Sequence, residues 1–140
     1  MTDIILESIS GDSSQIEILY SLLKKRRHFI SHHQLPDFVT HKKFVKNHPY
    51  RAWWIIKKSE EVLGTAYLTK ENAVGINLNN EDCNLHKLVI QYVIKSNYPL
   101  PPIPSVRPNF FYINISPTNE CLARAVKEIG GILTQSTFKV

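Results

Sequence analysis

The sequence predicts an α/β protein, a mixed sheet with helices on its faces. Runs of β-branched and aromatic residues bounded by turn residues predict strands, and apolar residues at helical spacing predict helices. The two kinds of segment alternate along the 140 residues. A chain of this length has room for one sizeable hydrophobic core. We therefore expect residues 1–140 to form a single domain.

In the first half, the sequence predicts a strand, two helices and an antiparallel hairpin. Ser14 and Glu17 have the spacing of a capping box, which starts the first helix. Pro36 suits the first turn of the second helix, and Pro49 prevents its continuation past His48. The predicted strands and helices are, in order, a strand over 3–9, helices over 14–27 and from about 36 to 47, and strands over 50–58 and 62–69.

The second half adds a strand over 74–78 and an amphipathic helix that contains Leu85, Leu88, Val89, Tyr92 and Val93. Residues 97–108 hold five prolines, which predict an extended surface connection because proline lacks a backbone donor. The chain then ends with three predicted elements: a strand over 109–115, a helix that ends at the glycine pair 130–131, and a last strand over 132–140. The predicted order is β-α-α-β-β-β-α-β-α-β.

Charge and composition restrict the function only broadly. The formal net charge of +5 favours an anionic ligand or nucleic acid, although the basic run 24–28 is typical of a solvated helix end. No apolar run approaches the ~20 residues that span a bilayer, and the N-terminus lacks a signal-peptide pattern, so we expect a cytoplasmic protein without a membrane partner. Cys83 and Cys121 show no metal-binding or redox spacing and are interpreted as reduced packing residues.

Histidines and tryptophans are concentrated between residues 28 and 54. Five of the six histidines lie there, but their spacing lacks a zinc-binding pattern, so no metal is expected. Trp53 and Trp54 are adjacent in a predicted strand and must face opposite sides of the sheet. One is expected in the core and the other at the floor of a cleft.

Several segments together resemble the GNAT superfamily of acyl-coenzyme A N-acyltransferases. The similar segments are Ser31 to Pro36 followed by His41, the hairpin 49–68, residues 113–119 and the helix end 128–130. They occur in the family's order over nearly the whole chain. The resemblance implies a GNAT-like fold and transfer of an acetyl group from acetyl-CoA to an amine whose identity the sequence leaves open.

The resemblance also implies a coenzyme A site. In the family, a glycine-containing loop before the helix that follows the fourth strand holds the pyrophosphate with bare backbone amides. The corresponding stretch here, 81–87, contains no glycine and begins with Glu81 and Asp82. The residues that the resemblance places at the cofactor are Asn77, Leu78, Asn79, Asn84, Leu85, His86, Lys87, Asn114 and Asn119.

For catalysis, the resemblance implies a splayed fourth and fifth strand, with the backbone amide of Leu78 stabilising an oxyanion. The family's tyrosine general acid corresponds to Val126, which cannot donate a proton. Tyr112 is our candidate substitute, with Tyr67 as a second. The candidate acceptor-binding residues are Ser31, His32, Trp54 and Tyr67.

Three functions remain in view at this stage. The first is an acetyl-CoA-dependent N-acetyltransferase. The second is a GNAT-like binding or assembly module without catalysis, suggested by the altered loop and the missing tyrosine. Nucleic-acid binding, the third, depends only on the positive charge and the aromatic residues. The oligomeric state, including a homodimer, is left open, and Asn119 has an alternative role as a helix cap.

Overall fold

The computed structural model describes residues 3–26 and 34–140. They form a five-stranded mixed sheet and four helices, so the predicted α/β class is confirmed. The strands and helices are β1 (Ile4–Ser8), α1 (Ser13–Lys24), α2 (Phe38–Lys46), β2 (Ala52–Lys58), β3 (Glu61–Leu68), β4 (Ala73–Leu78), α3 (Cys83–Ser96), β5 (Tyr112–Ile113) and α4 (Glu120–Glu128).

The strand order in the sheet is the order in the chain. Strands β1 to β4 are antiparallel, which confirms the predicted hairpin, and β5 is parallel to β4 because α3 carries the chain across the sheet. Parallel pairing is limited to Ala73 with Tyr112 and Val74 with Ile113. Beyond Val74, the outer edge of β4 has no strand partner among the described residues.

Two hydrophobic cores lie on opposite faces of the sheet. Ile55 packs with α1 and α2, where Ile16, Leu19 and Val45 are buried. Ile56 belongs to the larger core, which α3 and α4 cover. Neighbouring strand residues point to opposite faces, so one dipeptide of β2 contributes to both layers. No helix within 3–26 and 34–140 is long and apolar enough to cross a bilayer.

The start of α1 differs from the prediction. Asp12 is the cap: its carboxylate accepts from the backbone N–H of Gln15 at 2.8 Å, so the capping box at Ser14 is wrong. The second helix begins as expected, with Asp37 capping the N–H of Thr40. An acidic cap satisfies an orphan amide and complements the helix dipole, which explains why aspartate outcompetes serine here.

The predicted last strand is wrong. Residues 132–140 form no strand, and their apolar side chains are exposed, 84% for Ile132 and 82% for Phe138. The predicted strand over 109–115 is also shortened to Tyr112–Ile113. A strand forms only where its backbone groups pair with a neighbouring strand, and residues 132–140 make no such pairing within the described part of the chain.

Asn72 joins the proline-rich connection to the sheet. This fully buried residue has a φ of 75°. Its side-chain amide donates to the carbonyls of Leu100 and Pro108 at 3.0 and 2.9 Å, and its carbonyl oxygen accepts from Leu100 N–H at 2.7 Å. Asparagine tolerates the left-handed region and can both donate and accept. One side chain thereby holds a connection that, as predicted, contains neither helix nor named strand.

Replacing Asn72 should be costly. We expect Asn72→Ala to lower the free energy of unfolding by about 3 kcal/mol, because three partly buried backbone groups lose their partner and alanine is strained at positive φ. Asn72→Gly should cost roughly 1 kcal/mol less, since glycine removes the strain but not the lost hydrogen bonds. Urea unfolding measures both, with exposed Asn84→Ala as control; equal stability of Asn72→Ala and wild type would contradict this role.

Candidate functional site

A cavity of about 630 Å³ lies between the sheet and the pair α1 and α2. The helices contribute mainly apolar side chains, and β2, β3 and β4 contribute aromatic and amide side chains. The lining residues are Leu19, Leu22, Leu23, Lys24, Arg26, Gln34, Leu35, Pro36, Thr40, His41, Phe44, Tyr50, Trp53, Thr65, Tyr67, Asn77, Leu78 and Asn79.

Stacked tyrosines form one wall of the cavity. The rings of Tyr50 and Tyr67 are parallel within 2°, with centroids 4.3 Å apart. Phe44 and Trp53 meet Tyr50 edge-on at 5.8 and 5.2 Å. Gly75 on β4 makes room for Tyr67, because a Cβ atom at this position would collide with the tyrosine ring. Stacked and edge-on contacts are favourable aromatic geometries, so these rings stabilise one another.

The two phenol groups of this wall stay protonated. Burial raises the pKa of Tyr50 to about 12, and the neighbouring phenol of Tyr67 adds to the shift, while Arg26 opposes it. Burial likewise raises the pKa of Tyr67, again against the effect of Arg26. No hydrogen bond within the described part of the chain uses either hydroxyl. At neutral pH both groups are therefore O–H donors available to a molecule in the cavity.

The charge of the lining is one-sided. Lys24 and Arg26 are its cationic residues, and none of the described lining residues is acidic. The ammonium of Lys24 lies 4.9 Å above the Tyr20 ring, which holds this side chain at the end of α1. Asn77 and Asn79 add amide groups from the end of β4. Such a lining complements neutral or anionic molecules.

The acceptor-side candidates are divided by the structure. Tyr67 lines the cavity, whereas Trp54 packs against the larger core on the opposite face. Trp53 occupies the cavity face instead and lies directly across from Tyr67 in the β2–β3 pairing. Side chains of directly paired residues lie on the same face of a sheet. The register of the hairpin therefore indicates that Trp53, and not Trp54, shares the cavity face with Tyr67. Ser31 and His32 lie outside the described residues.

The two catalytic candidates are far apart. Leu78 ends β4 at the cavity, with Asn77 and Asn79 beside it. Tyr112 pairs with Ala73, five residues earlier on β4, which places it roughly 16 Å from Leu78 along the strand. Asn114 follows β5 and is exposed. The cavity lining includes neither Tyr112 nor Asn114.

The other cofactor candidates occupy the first turns of α3 and α4. Leu85 and His86 are buried, and His86 Nδ1 lies 2.7 Å from the carbonyl of Asp82. Lys87 pairs with Glu128 at 3.7 Å, and Asn84 is exposed. Asn119 is buried and caps α4, its side chain accepting from Leu122 N–H at 3.3 Å. The capping role weighed for Asn119 is thus confirmed.

A disulfide joins these two helix ends. Cys83 and Cys121 are bonded, with their Cα atoms 4.7 Å apart, so the interpretation of two reduced packing residues is wrong. Sequence spacing could not reveal the pair because 38 positions separate the residues, and only the approach of α3 to α4 brings them together. Disulfides are rare in reducing compartments. The cysteines therefore no longer support a cytoplasmic location, which stays a prediction.

The α3 terminus does not fit the pyrophosphate of an acyl-coenzyme A. The carboxylate of Asp82 already accepts from Leu85 N–H at 3.0 Å. The neighbouring Glu81 adds negative charge, and Glu120 lies in the first turn of α4. The helix dipole favours an anion at a helix N-terminus, but here side-chain carboxylates already occupy that position and would repel a pyrophosphate. No glycine provides a bare backbone cradle between β4 and α3.

The described histidines have structural partners. His41 is buried in α2, and its Nε2 lies 3.0 Å from the carbonyl of Ile16 in α1. His48 packs edge-on against Trp53, and burial lowers the pKa of its imidazole. Within residues 3–26 and 34–140, no group of three histidine, cysteine or acidic residues is arranged to hold a metal ion.

Comparison with models of known protein families and with curated protein sequences gave no match to this chain. The GNAT resemblance therefore stays a prediction from the residues themselves.

The shifted tyrosines predict a specific alkaline behaviour. The native state holds these phenolic protons more tightly than the unfolded chain, whose tyrosines titrate near 10.0. The free energy of unfolding should be unaffected below about pH 10 and should fall as the pH rises toward 12. Near-ultraviolet phenolate absorbance should show a late phase whose amplitude Tyr50→Phe reduces, because Tyr67 still titrates late, and which the exposed Tyr92→Phe leaves unchanged. A single titration phase for all six tyrosines would contradict the raised pKa of Tyr50 and Tyr67.

Opening the disulfide should destabilise the fold. The entropy of closing a loop of this length corresponds to about 4 kcal/mol in the chain-entropy model. We expect Cys83→Ser with Cys121→Ser, and wild type treated with a dithiol, to lose a similar free energy of unfolding in urea. The double variant should not respond to the dithiol. Unchanged stability of the wild type on full reduction would contradict the prediction.

Proposed function

We propose that this chain is a binding domain for an organic molecule, neutral or anionic, that enters the cavity between α1, α2 and the sheet. One observation carries the proposal: the cavity combines a stacked aromatic wall with two protonated phenols and two cationic residues, and its described lining contains no acidic residue. This is the composition of a small-molecule pocket, mostly apolar with a few convergent polar groups.

Each part of the lining has a distinct task in the proposal. The leucines of α1 and the aromatic wall exclude water from the apolar part of the ligand. The hydroxyls of Tyr50 and Tyr67 donate to its oxygen atoms, and hydrogen bonds to a charged acceptor are the stronger kind. Arg26 and Lys24 contribute positive potential. An ammonium ligand would instead be repelled and would find no carboxylate among the described lining residues.

Acetyl-CoA-dependent N-acetylation of an amine is the second candidate function. This second function is favoured by the separation of β4 from β5 beyond Val74. The separated part of β4 leads to residues 77–79. Asn79 N–H donates to Leu63 on β3 at 2.9 Å, and alternate residues direct their backbone groups to opposite edges, so the N–H of Leu78 faces the open side. It is the weaker proposal because the carboxylates at α3 disfavour the cofactor's pyrophosphate, and the cationic residues of the cavity disfavour an ammonium acceptor.

A matched pair of probes tests the first proposal. Phenylacetate and phenethylamine share a ring and a two-carbon chain but carry opposite charges. We expect phenylacetate to raise the melting temperature and phenethylamine to leave it unchanged, because only the anion is complementary to the lining. Tyr50→Phe and Tyr67→Phe should each raise the Kd for phenylacetate about tenfold, whereas Tyr92→Phe should not.

Acetyl-CoA is the third probe and separates the two functions. Equal or tighter binding of phenethylamine would overturn the anion-binding proposal. Micromolar binding of acetyl-CoA in isothermal titration, insensitive to Tyr50→Phe and Tyr67→Phe, would favour the acyltransferase. If the chain binds phenylacetate but not acetyl-CoA, the result would support the binding domain and count against the acyltransferase.

A further inference from the structure

The C-terminal segment of the chain exposes a row of apolar side chains. Ile132, Leu133 and Phe138 are 84%, 85% and 82% exposed, and Val140 is fully exposed. No hydrogen bond within the described part of the chain involves residues 132–140. A monomer that leaves four large apolar residues uncovered in one nine-residue stretch loses their burial free energy entirely.

The pattern of this segment is that of a strand. Side chains along a strand alternate between two faces, so Ile132, Phe138 and Val140 share one face with two small hydroxyl residues, Thr134 and Ser136. Gln135, Thr137 and Lys139 lie on the other face with Leu133. β-branched and aromatic residues predominate, and neither glycine nor proline interrupts the run. The segment can therefore form a nine-residue strand about 30 Å long.

An unpaired strand edge exists in the same molecule. β5 borders β4 on one side, and among the described residues no strand lies on the other. Its neighbours Phe111 and Ile115 are only partly buried against the larger core, and Phe110 is 47% exposed. Natural sheets rarely leave an edge of this kind uncovered. A strand added here would supply partners for backbone groups over 109–115 and cover the apolar residues beside them.

Residues 132–140 follow the end of α4 and pair with no strand of their own chain. Gly130 takes a φ of 94°, and Gly131 N–H donates to the carbonyl of Val126 at 2.8 Å, which closes the helix with a left-handed cap. The chain leaves this cap without returning to β5. Each copy therefore has one free strand and one free edge, and two copies related by a two-fold axis satisfy both at once.

We propose that residues 132–140 of each chain pair as a strand with the outer edge of β5 in a second copy, forming a dimer by reciprocal exchange. The proposal is independent of the cavity and its ligand. The exchange also accounts for the short β5 of the single chain. In the dimer, residues 132–140 of the partner copy would pair with a longer β5 and cover the apolar side chains beside it.

Sedimentation velocity of the full chain tests the exchange. We expect a dimer of twice 16.1 kDa. Phe138→Asp, which places a charge on the apolar face, should give a folded monomer, while the matched Thr137→Asp on the opposite face should remain a dimer. A chain that ends at Gly131 should be a monomer and should bind a labelled peptide of residues 131–140, but not the same peptide with Ser136→Pro.

A monomeric full chain would overturn the proposal, as would a dimer that persists in the shortened chain. Protection of the amides of 132–140 from hydrogen exchange in a monomer would place the strand on its own sheet and would also overturn it. If the shortened chain fails to fold, an excess of the free peptide should still convert the full-length dimer to a peptide-bound monomer, and its failure to do so would count against exchange.

Discussion

The alternation of side chains along β2 and β3 is the constraint on which the rest of the structure depends. Ile55 and Ile56 enter different cores, and Trp53 and Trp54 divide in the same way. The register that pairs Trp53 with Tyr67 then places both rings over the face that α1 and α2 cover. A shift of one residue would exchange the two faces and remove the aromatic wall of the cavity together with both cores.

Two strand edges near the β4–β5 pairing have no strand partner among the described residues: the outer edge of β4 beyond Val74 and the free side of β5. Only two residue pairs join the strands before they separate, and Asn72 holds the proline-rich connection beside that short contact. The separation exposes one edge of β4 near the cavity and leaves β5 with little support. The cavity beside the end of β4 and the free side of β5 both border this region.

Electrostatics distinguishes the cavity from the helix ends, although the whole chain is basic. The net charge of +5 is not distributed evenly, because the ends of α3 and α4 carry Glu81, Asp82 and Glu120, whereas the cavity carries Lys24 and Arg26. An anion is therefore favoured in the cavity and disfavoured at the helix ends, where a pyrophosphate would be expected from the GNAT resemblance. The cavity is therefore electrostatically suited to an anionic ligand, whereas the ends of α3 and α4 are not suited to a pyrophosphate.

The sequence by itself determined the number and kind of most elements, because hydrophobic periodicity and proline act locally. It also identified Tyr67 and Asn77–Asn79 as candidates, and the structure gathers these at one cavity. It could not select Trp53 over Trp54, since the choice of face depends on the register against β3 and the position of α1 and α2. Nor could it reveal the Cys83–Cys121 disulfide or the role of Asn72, which depend on segments distant in the chain. The strand pattern of 132–140 is local, but whether a strand forms there depends on a partner edge, and only the tertiary structure decides where such an edge is free.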